Sequence, residues 1–383
     1  VGAIVRAGYF RVTNAWLQKD LVDNELCDLA SLQGFQTGML TLSLHGCRQL
    51  TDASPLGGCE RLKSLDLSWC SRLSGVEGIH RCPTLETLSL TECNRLTRIT
   101  GLGGCKALKL LYLSWCENLC DISGLAGCSS LQQLQLTGCA KLSTLEGLSS
   151  CTGLQILNLS KVPRLFDLSE LAGCAALWSL NVADCGRLSD VSALGGCAKL
   201  KQLDLSGCAR LTGVANLHDC SELRKVDFSG CAQLVDISGL AGCEALQEVD
   251  LSNSPKLVDV SALGTCIGLR ELDLFNCAKV ESLSVLGNCK QLTTLNCSGC
   301  KRLADVAGLA GCENLEWLDL SVCDHLADVS SLRCCKRLAS LNLSNCRSLP
   351  DIRGLAGCEE LHMLNLDGTN SEKALDSMAA LPL

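Results

Sequence analysis

A single period of 23 residues runs through most of this 383-residue chain. Fourteen full repeats occupy residues 39–360 without one insertion, and Leu361 opens a degenerate fifteenth. The repeat at residues 223–245 reads LRKVDFSGCAQLVDISGLAGCEA, and the shared pattern is LxxLxLSxCxxLxDaSxLxxCxx, where "a" is aliphatic. A repeat this short cannot bury its apolar side chains alone, but stacked repeats cover one another. The period therefore predicts a solenoid and not a set of separate globular domains.

Within each repeat, numbered from its opening leucine as position 1, the apolar pattern changes along the chain. Positions 1–6 end in an apolar–polar alternation, which is typical of a strand with one buried face. Position 12 is predicted to point inward, and positions 14–18 offer Asp and Ser as caps for a short 3₁₀ turn. The sequence thus predicts an α/β repeat solenoid. One parallel sheet forms its concave face, and short 3₁₀ turns or extended segments form its convex face.

This pattern resembles the leucine-rich repeat superfamily, from Met39 to about Leu366. The recurring LxxLxL core carries the resemblance. The repeat length and the aliphatic-Ser-x-Leu return are similar to the short repeats of the internalins. Cysteine in place of the usual asparagine after the strand resembles the cysteine-containing repeat class, and also the cysteine-bearing repeat proteins of flagellated protozoa. The resemblance implies a binding or scaffold role and no particular partner.

The two ends of the chain depart from the repeat. Residues 26–35 contain half a repeat and residues 1–25 contain none, so residues 1–38 are predicted to form an N-terminal cap. Residues 361–383 are predicted to hold a degenerate last repeat and a C-terminal cap with a short helix. Caps are expected because the terminal repeats would otherwise expose a sheet edge and the core.

Thirty cysteines are the most unusual part of the composition: twelve occupy position 9 and fourteen occupy position 21. Disulfides are typical of short secreted chains with small cores. Zinc sites use close cysteine pairs, which spacings of 11 or 12 residues do not provide. Where cysteine is absent, Val162, Ser254 and Thr369 fill position 9, which favours packing as a small buried side chain. So many free thiols predict a reducing compartment, the cytoplasm or the nucleus.

Charge and composition argue against several functions. The net charge of −8 opposes nucleic-acid binding, and no apolar run approaches the roughly 18 residues of a membrane span. The five histidines lie at unrelated repeat positions, with no pairing of a nucleophile and a base and no phosphate-binding glycine loop. We therefore expect neither an enzyme nor a cofactor, metal or small-molecule site.

Two groups of side chains on the predicted concave face are candidate partner-binding residues. The acidic group shares position 5 in four consecutive repeats and consists of Asp204, Asp227, Asp250 and Asp273. Such a run of like charges would suit a basic or amide-rich partner segment; the alternative is a solvated polar face. The aromatic group consists of Trp69, Tyr112, Trp115, Trp178 and Trp317. Trp and Tyr are enriched in binding hot spots; the alternative is stacking against neighbouring strands.

A basic row lies at position 11, with Asp three residues later in several repeats, as in Arg164 and Asp167. We interpret this row as a ladder of exposed ion pairs, each of small energetic value. An anion-binding strip is the alternative.

Taken together, these features predict a non-catalytic protein–protein interaction scaffold that binds a protein partner on its concave face. Two alternatives stay open. The chain could be the substrate-recognition or inhibitory subunit of an enzyme complex, which an additional domain upstream would favour. It could also be a secreted or surface receptor or adhesin, which oxidised cysteines would favour.

Overall fold

The computed structural model describes Leu29 and residues 38–369. Most of the predicted N-terminal cap and the predicted C-terminal helix lie outside the described residues. The chain divides into two compact units. The N-terminal unit comprises Val1–Arg187 with Gly196–Ala198, and the C-terminal unit comprises Leu188–Gly195 with Lys199–Leu383.

Every described repeat contributes one three-residue strand at positions 3–5. The strands of the N-terminal unit are β1 (Thr41–Ser43), β2 (Ser64–Asp66), β3 (Thr87–Ser89), β4 (Leu110–Tyr112), β5 (Gln133–Gln135), β6 (Ile156–Asn158) and β7 (Ser179–Asn181). Those of the C-terminal unit are β8 (Gln202–Asp204), β9 (Lys225–Asp227), β10 (Glu248–Asp250), β11 (Glu271–Asp273), β12 (Thr294–Asn296), β13 (Trp317–Asp319), β14 (Ser340–Asn342) and β15 (Met363–Asn365). Within each unit the strands pair in parallel and in chain order, equal repeat positions facing each other. The predicted parallel sheet is confirmed in both units.

The core lies on one side of each sheet and repeats with the sequence. Positions 1, 4, 6, 12, 15 and 18 supply apolar, mostly aliphatic side chains that are buried in all fourteen full repeats. Phe228 is the one aromatic side chain at position 6, where the other described repeats have Leu, Val or Cys, and it is fully buried. The inward direction predicted for position 12 is confirmed.

Short 3₁₀ helices form the return side of the repeats, as predicted. They are Ser54–Gly58, Glu77–Arg81, Thr100–Leu102, Ser123–Leu125, Leu148–Ser150, Ser169–Gly173, Ser192–Gly196, Leu217–Asp219, Ser238–Leu240, Ser261–Thr265, Ser284–Asn288, Ala307–Gly311, Ser330–Cys334 and Arg353–Gly357. The aspartate at position 14 accepts the backbone N–H of position 16, as Asp259 does from Ser261 at 2.8 Å. This bond satisfies an N–H that the helix itself leaves without a partner.

Both cysteine rows are buried, so packing is confirmed as their role, with one addition. In most repeats, the thiols at positions 9 and 21 also donate a hydrogen bond to a backbone carbonyl of the preceding repeat. At position 9, Cys231 Sγ lies 3.3 Å from the Leu205 oxygen; at position 21, Cys312 Sγ lies 3.4 Å from the Leu286 oxygen. Burial raises the pKa of Cys231 to about 12, so the thiol keeps the proton that it donates. Cysteine is therefore a directional donor between repeats as well as a spacer.

Ser254 interrupts the position-9 row and provides a test of this role. Its hydroxyl is buried and has no hydrogen-bond partner, whereas Cys277 in the next repeat donates to the Leu251 carbonyl at 3.1 Å. We expect Ser254→Cys to raise the free energy of unfolding by about 1–2 kcal/mol, because the longer thiol replaces an unsatisfied buried group. Urea denaturation measures the change. Cys277→Ser is the matched reverse substitution and should destabilise; a less stable Ser254→Cys protein would contradict the argument.

Candidate functional site

Position 5 is the last residue of each strand. In most repeats its side chain accepts a backbone hydrogen bond, which the sequence analysis did not predict. Where it is Asp or Asn, its Oδ1 accepts the backbone N–H of position 7. Asp250 accepts from Ser252 at 2.8 Å, and Asn296 accepts from Ser298 at 3.0 Å. Because the amide serves as well as the carboxylate, the fold requires the oxygen at this position and not the charge.

The four predicted acidic residues lie side by side at the ends of β8 to β11. Asp227 faces Asp204 on one side and Asp250 on the other, and Asp250 faces Asp273. All four are half-buried. Burial raises the pKa of Asp250, hydrogen bonds from Ser252 oppose this rise, and the carboxylates of Asp227 and Asp273 add to it. The predicted proximity is confirmed, and the like charges disfavour one another.

A second row of ionisable side chains, at position 3, lies on the same three strands as Asp227, Asp250 and Asp273. Lys225, Glu248 and Glu271 begin β9, β10 and β11 and face one another across the sheet. Above the two rows lies a recess of about 280 Å³, called the acidic recess below. It is lined by Lys225, Val226, Asp227, Glu248, Val249, Asp250, Glu271, Leu272, Asp273, Thr294, Asn296 and Trp317. Asp204 is not among them. The proximity of Glu248 and Glu271 could have been predicted from the sequence, since both occupy position 3 in adjacent repeats.

Trp69 and Trp115 lie at position 8, just beyond the strands of the N-terminal unit, and are 46% and 41% exposed. The Trp69 ring lies 6.5 Å from the His45 ring. Lys161 Nζ lies 5.9 Å from the centre of the Trp115 ring. Trp115 also covers Gly138 of the next repeat, where a Cβ atom would come within 2.5 Å of the indole. Stacking on neighbouring repeats therefore accounts for part of the position of Trp115.

The backbone at position 8 is left-handed throughout the described repeats. In the C-terminal unit this position is Gly or Asn in seven of eight repeats, with Val322 as the exception. Five of the seven repeats in the N-terminal unit have other residues there: Trp69, Glu92, Trp115, Lys161 and Asp184, with φ between 58° and 65°. A left-handed residue other than glycine costs about 1–2 kcal/mol, and bulky ones are outliers. The N-terminal unit thus carries strained side chains that the fold does not need.

The other aromatic candidates occupy different places. Tyr112 ends β4, three residues before Trp115, and is half-buried. Trp178 immediately precedes β7 and is also half-buried. Trp317 begins β13, is 37% exposed and lines the acidic recess. The structure therefore places Tyr112 with Trp115 in one repeat, and Trp317 with three of the predicted aspartates in the other unit.

The expected ladder of ion pairs along position 11 is wrong. Asp167 at position 14 accepts the backbone N–H and the hydroxyl of Ser169, each at 2.8 Å, instead of pairing with Arg164. Within the described residues, Arg302 is the member of the row that forms an ion pair, with Glu281 at 3.3 Å. Capping of the 3₁₀ helix holds the position-14 carboxylate on the return side.

Two further observations concern the described residues alone. They include no group of three or more His, Cys, Asp and Glu side chains that could hold a metal ion. In the same part of the chain, no helix has the length and apolar character needed to cross a membrane.

Comparison with known proteins supports the repeat assignment. The family model described as leucine-rich repeats (2 copies) matches residues 267–311. No curated protein sequence matches the chain significantly. Among solved structures, an internalin (inlF) from Listeria monocytogenes is 21% identical, with a TM-score of 0.55 over 81% of this chain and 82% of the internalin.

Two other solved structures share the fold at lower sequence identity. The leucine-rich repeat protein LIC12759 of Leptospira interrogans is 16% identical, with a TM-score of 0.54 over 93% of this chain and 97% of its own. TLR13, solved as a complex with ssRNA13, is 18% identical, with a TM-score of 0.54 over 88% of this chain and 53% of its own. With the 23-residue period and the parallel strands, these likenesses show that the chain has the leucine-rich repeat fold, and residues 267–311 match the repeat family itself.

Proposed function

We propose that this protein is a non-catalytic protein–protein interaction scaffold, which binds a protein partner along the exposed face of its strands and the adjoining position-8 edge. The observation that carries the proposal is the left-handed conformation of Trp69 and Trp115. The same backbone position accepts Gly or Asn in most repeats of the C-terminal unit, so the fold does not require tryptophan there. Strained residues of this kind cluster at functional sites.

The exposed indoles suit a protein interface. Each is close to half exposed, and Tyr112 adds a third aromatic ring in the repeat of Trp115. Trp and Tyr side chains dominate binding energy at protein interfaces when they become desolvated. Repeat proteins offer long, continuous surfaces for such contacts. A protein partner also agrees with the net charge of −8, which opposes nucleic acid.

The test of this proposal is the double substitution Trp69→Asn with Trp115→Asn. Asparagine occupies the same left-handed position in Asn253 and Asn276, so the backbone should be unchanged. We expect affinity for the partner, identified by proximity labelling in the native cell, to fall by about 30-fold or more, equivalent to about 2 kcal/mol. Isothermal titration calorimetry under reducing conditions measures it.

Val322→Asn is the matched control for that substitution. It introduces the same residue at the same left-handed repeat position in the C-terminal unit and should leave the affinity unchanged. If the double variant keeps the circular dichroism spectrum and the full affinity of the unsubstituted protein, the position-8 tryptophans do not contact the partner.

We also propose that the protein works in a reducing compartment, the cytoplasm or the nucleus. Support comes from the 29 described cysteines, none of which is in a disulfide and 27 of which are buried. When the protein is isolated from its native cell and then denatured, thiol titration should find nearly all of its cysteines as free thiols. Mostly oxidised cysteines would instead favour a secreted or surface receptor.

A further inference from the structure

The acidic recess contains six ionisable side chains arranged in two rows across three strands. Position 3 of β9, β10 and β11 contributes one row and position 5 the other, and the members of each row face one another in register. The six are Lys225, Glu248, Glu271, Asp227, Asp250 and Asp273. Five carboxylates and one ammonium group give the recess a formal charge of −4. This part of the sheet therefore attracts a positively charged group.

One end of the recess already binds an ammonium group from the protein itself. Lys225 Nζ lies 2.5 Å from Glu248 Oε2. The hydrogen bond with Glu248 raises the pKa of Lys225, and the charges of Glu248, Glu271 and Asp227 raise it further. Glu271, at the opposite end, forms no ion pair within the described residues. The Lys225–Glu248 pair thus shows that an ammonium group forms a short ion pair in the recess. Glu271 is available to pair with a second cationic group.

The walls of the recess suit a long basic side chain. Val226, Val249 and Leu272 lie between the two rows, and their side chains are buried on the opposite side of the sheet, so strand backbone forms the floor of the recess. The partly exposed Trp317 ring stands two strands beyond Glu271, and guanidinium groups stack on such rings. Asn296 Nδ2 donates to Asp273 Oδ2 at 3.2 Å and holds that carboxylate in place. The volume of about 280 Å³ leaves space for a side chain and not for a folded domain.

The negative charges are not required by the fold. Asn158, Asn181 and Asn296 accept the backbone N–H of position 7, as Asp250 does. Asparagine could therefore replace each aspartate of the acidic group without loss of this bond. Like charges directly opposite one another on neighbouring strands are destabilising. The C-terminal unit therefore maintains four adjacent aspartates, three of them in the acidic recess, against their repulsion, which indicates a role in binding.

We propose that the acidic recess is the docking site for an arginine or lysine side chain on an extended segment of the protein partner. Its charged group lies between Glu271, Asp250 and Asp273, and its stem lies against Trp317. The inference rests on the proposed scaffold function and adds the chemistry of the partner.

The test uses the full chain and a fluorescein-labelled probe peptide, acetyl-Gly-Arg-Gly-Arg-Gly-Arg-Gly amide. Citrulline replaces arginine in a neutral control peptide of the same shape. We expect fluorescence anisotropy to show binding of the arginine peptide, weakening as salt rises, and at least fivefold weaker binding of the citrulline peptide. Asp250→Asn and Glu271→Gln should each weaken arginine-peptide binding at least fivefold. The Asp250→Asn protein should unfold at a higher urea concentration than the unsubstituted protein, because repulsion is relieved, so its weaker binding cannot come from misfolding.

Asp66→Asn is the matched control. Asp66 occupies position 5 in the N-terminal unit, where Ser43 and Ser89 face it on the neighbouring strands, and its loss should leave peptide binding unchanged. Equal weakening by Asp66→Asn and Asp250→Asn would show attraction to net charge alone and would overturn the inference, as would equal binding of both peptides. The scaffold function is judged separately by the position-8 tryptophan variants with the native partner, so either proposal can fail without the other.

Discussion

Raising the pH from 8 to 10 is expected to unfold this protein while its cysteines are reduced. Burial raises the pKa of Cys59 to about 11 and that of Cys277 to about 12. Burial also raises the pKa of other members of both rows and of Cys297 at position 6. The folded protein therefore holds these protons at a pH where the unfolded chain releases them.

The sign of the effect follows from the proton balance. A thiol has an ordinary pKa near 9.0, so below that pH both states are protonated and the thiols leave stability unaffected. Above it, the unfolded chain binds fewer protons, and each buried thiol lowers the free energy of unfolding by about 1.4 kcal/mol per pH unit. Twenty-three thiols share this shift. Their combined effect exceeds the roughly 5–15 kcal/mol that stabilises a typical fold.

Far-UV circular dichroism and thiolate absorbance at 240 nm, recorded on one sample during alkaline titration, measure this transition. Both signals should change together below pH 10. Replacing Cys116, Cys139, Cys231 and Cys277 with valine, the residue at position 162, should make the transition less steep, because burial raises the pKa of all four thiols. A folded spectrum that persists above pH 11 while thiolate absorbance rises would show that the buried thiols ionise in place, contrary to this expectation.

Replacing Phe228 with alanine is expected to lower the free energy of unfolding by about 3–5 kcal/mol. The ring is fully buried at position 6, between the repeats of Leu205 and Leu251, and its removal leaves a cavity that neighbours fixed by the 23-residue stacking can only partly fill. Urea denaturation gives the total loss. Hydrogen exchange should show the increased opening concentrated in the repeats next to residue 228, since each repeat contacts mainly its neighbours.

Phe275→Ala is the matched control for this cavity. Phe275 lies in the same unit at position 7 and is 41% exposed, so its truncation should cost less than about 1 kcal/mol. Similar losses for the two phenylalanines would mean that the core at position 6 relaxes freely around the missing ring.

Much of the fold could be predicted because its determinants are local. Strand alternation has a period of two residues, the 3₁₀ caps join positions 14 and 16, and burial recurs every 23 residues. Each of these signals can be read within one repeat, such as residues 223–245. The bond from position 5 to position 7 is equally local. The interpretation of Asp204 to Asp273 weighed partner binding against a solvated polar face and did not include this bond.

The candidate surfaces were predicted in part. The four aspartates were expected to be neighbours because equal positions on parallel strands face one another, and the structure places them so. Glu248, Glu271 and the recess that they share with Trp317 were not foreseen. The strain on Trp69 and Trp115 becomes visible only from their φ angles.

The sequence by itself determined the repeat, the strand in each repeat and the rows of buried side chains, because these depend on the spacing of residues along the chain. Only the tertiary structure decided which atoms of adjacent repeats meet. Cys231 reaches the Leu205 carbonyl across 26 residues of chain, and Lys225 reaches Glu248 across 23. The physical reason is that hydrogen bonds and ion pairs depend on distances of about 3 Å, which the stacking of repeats sets and a linear pattern does not contain.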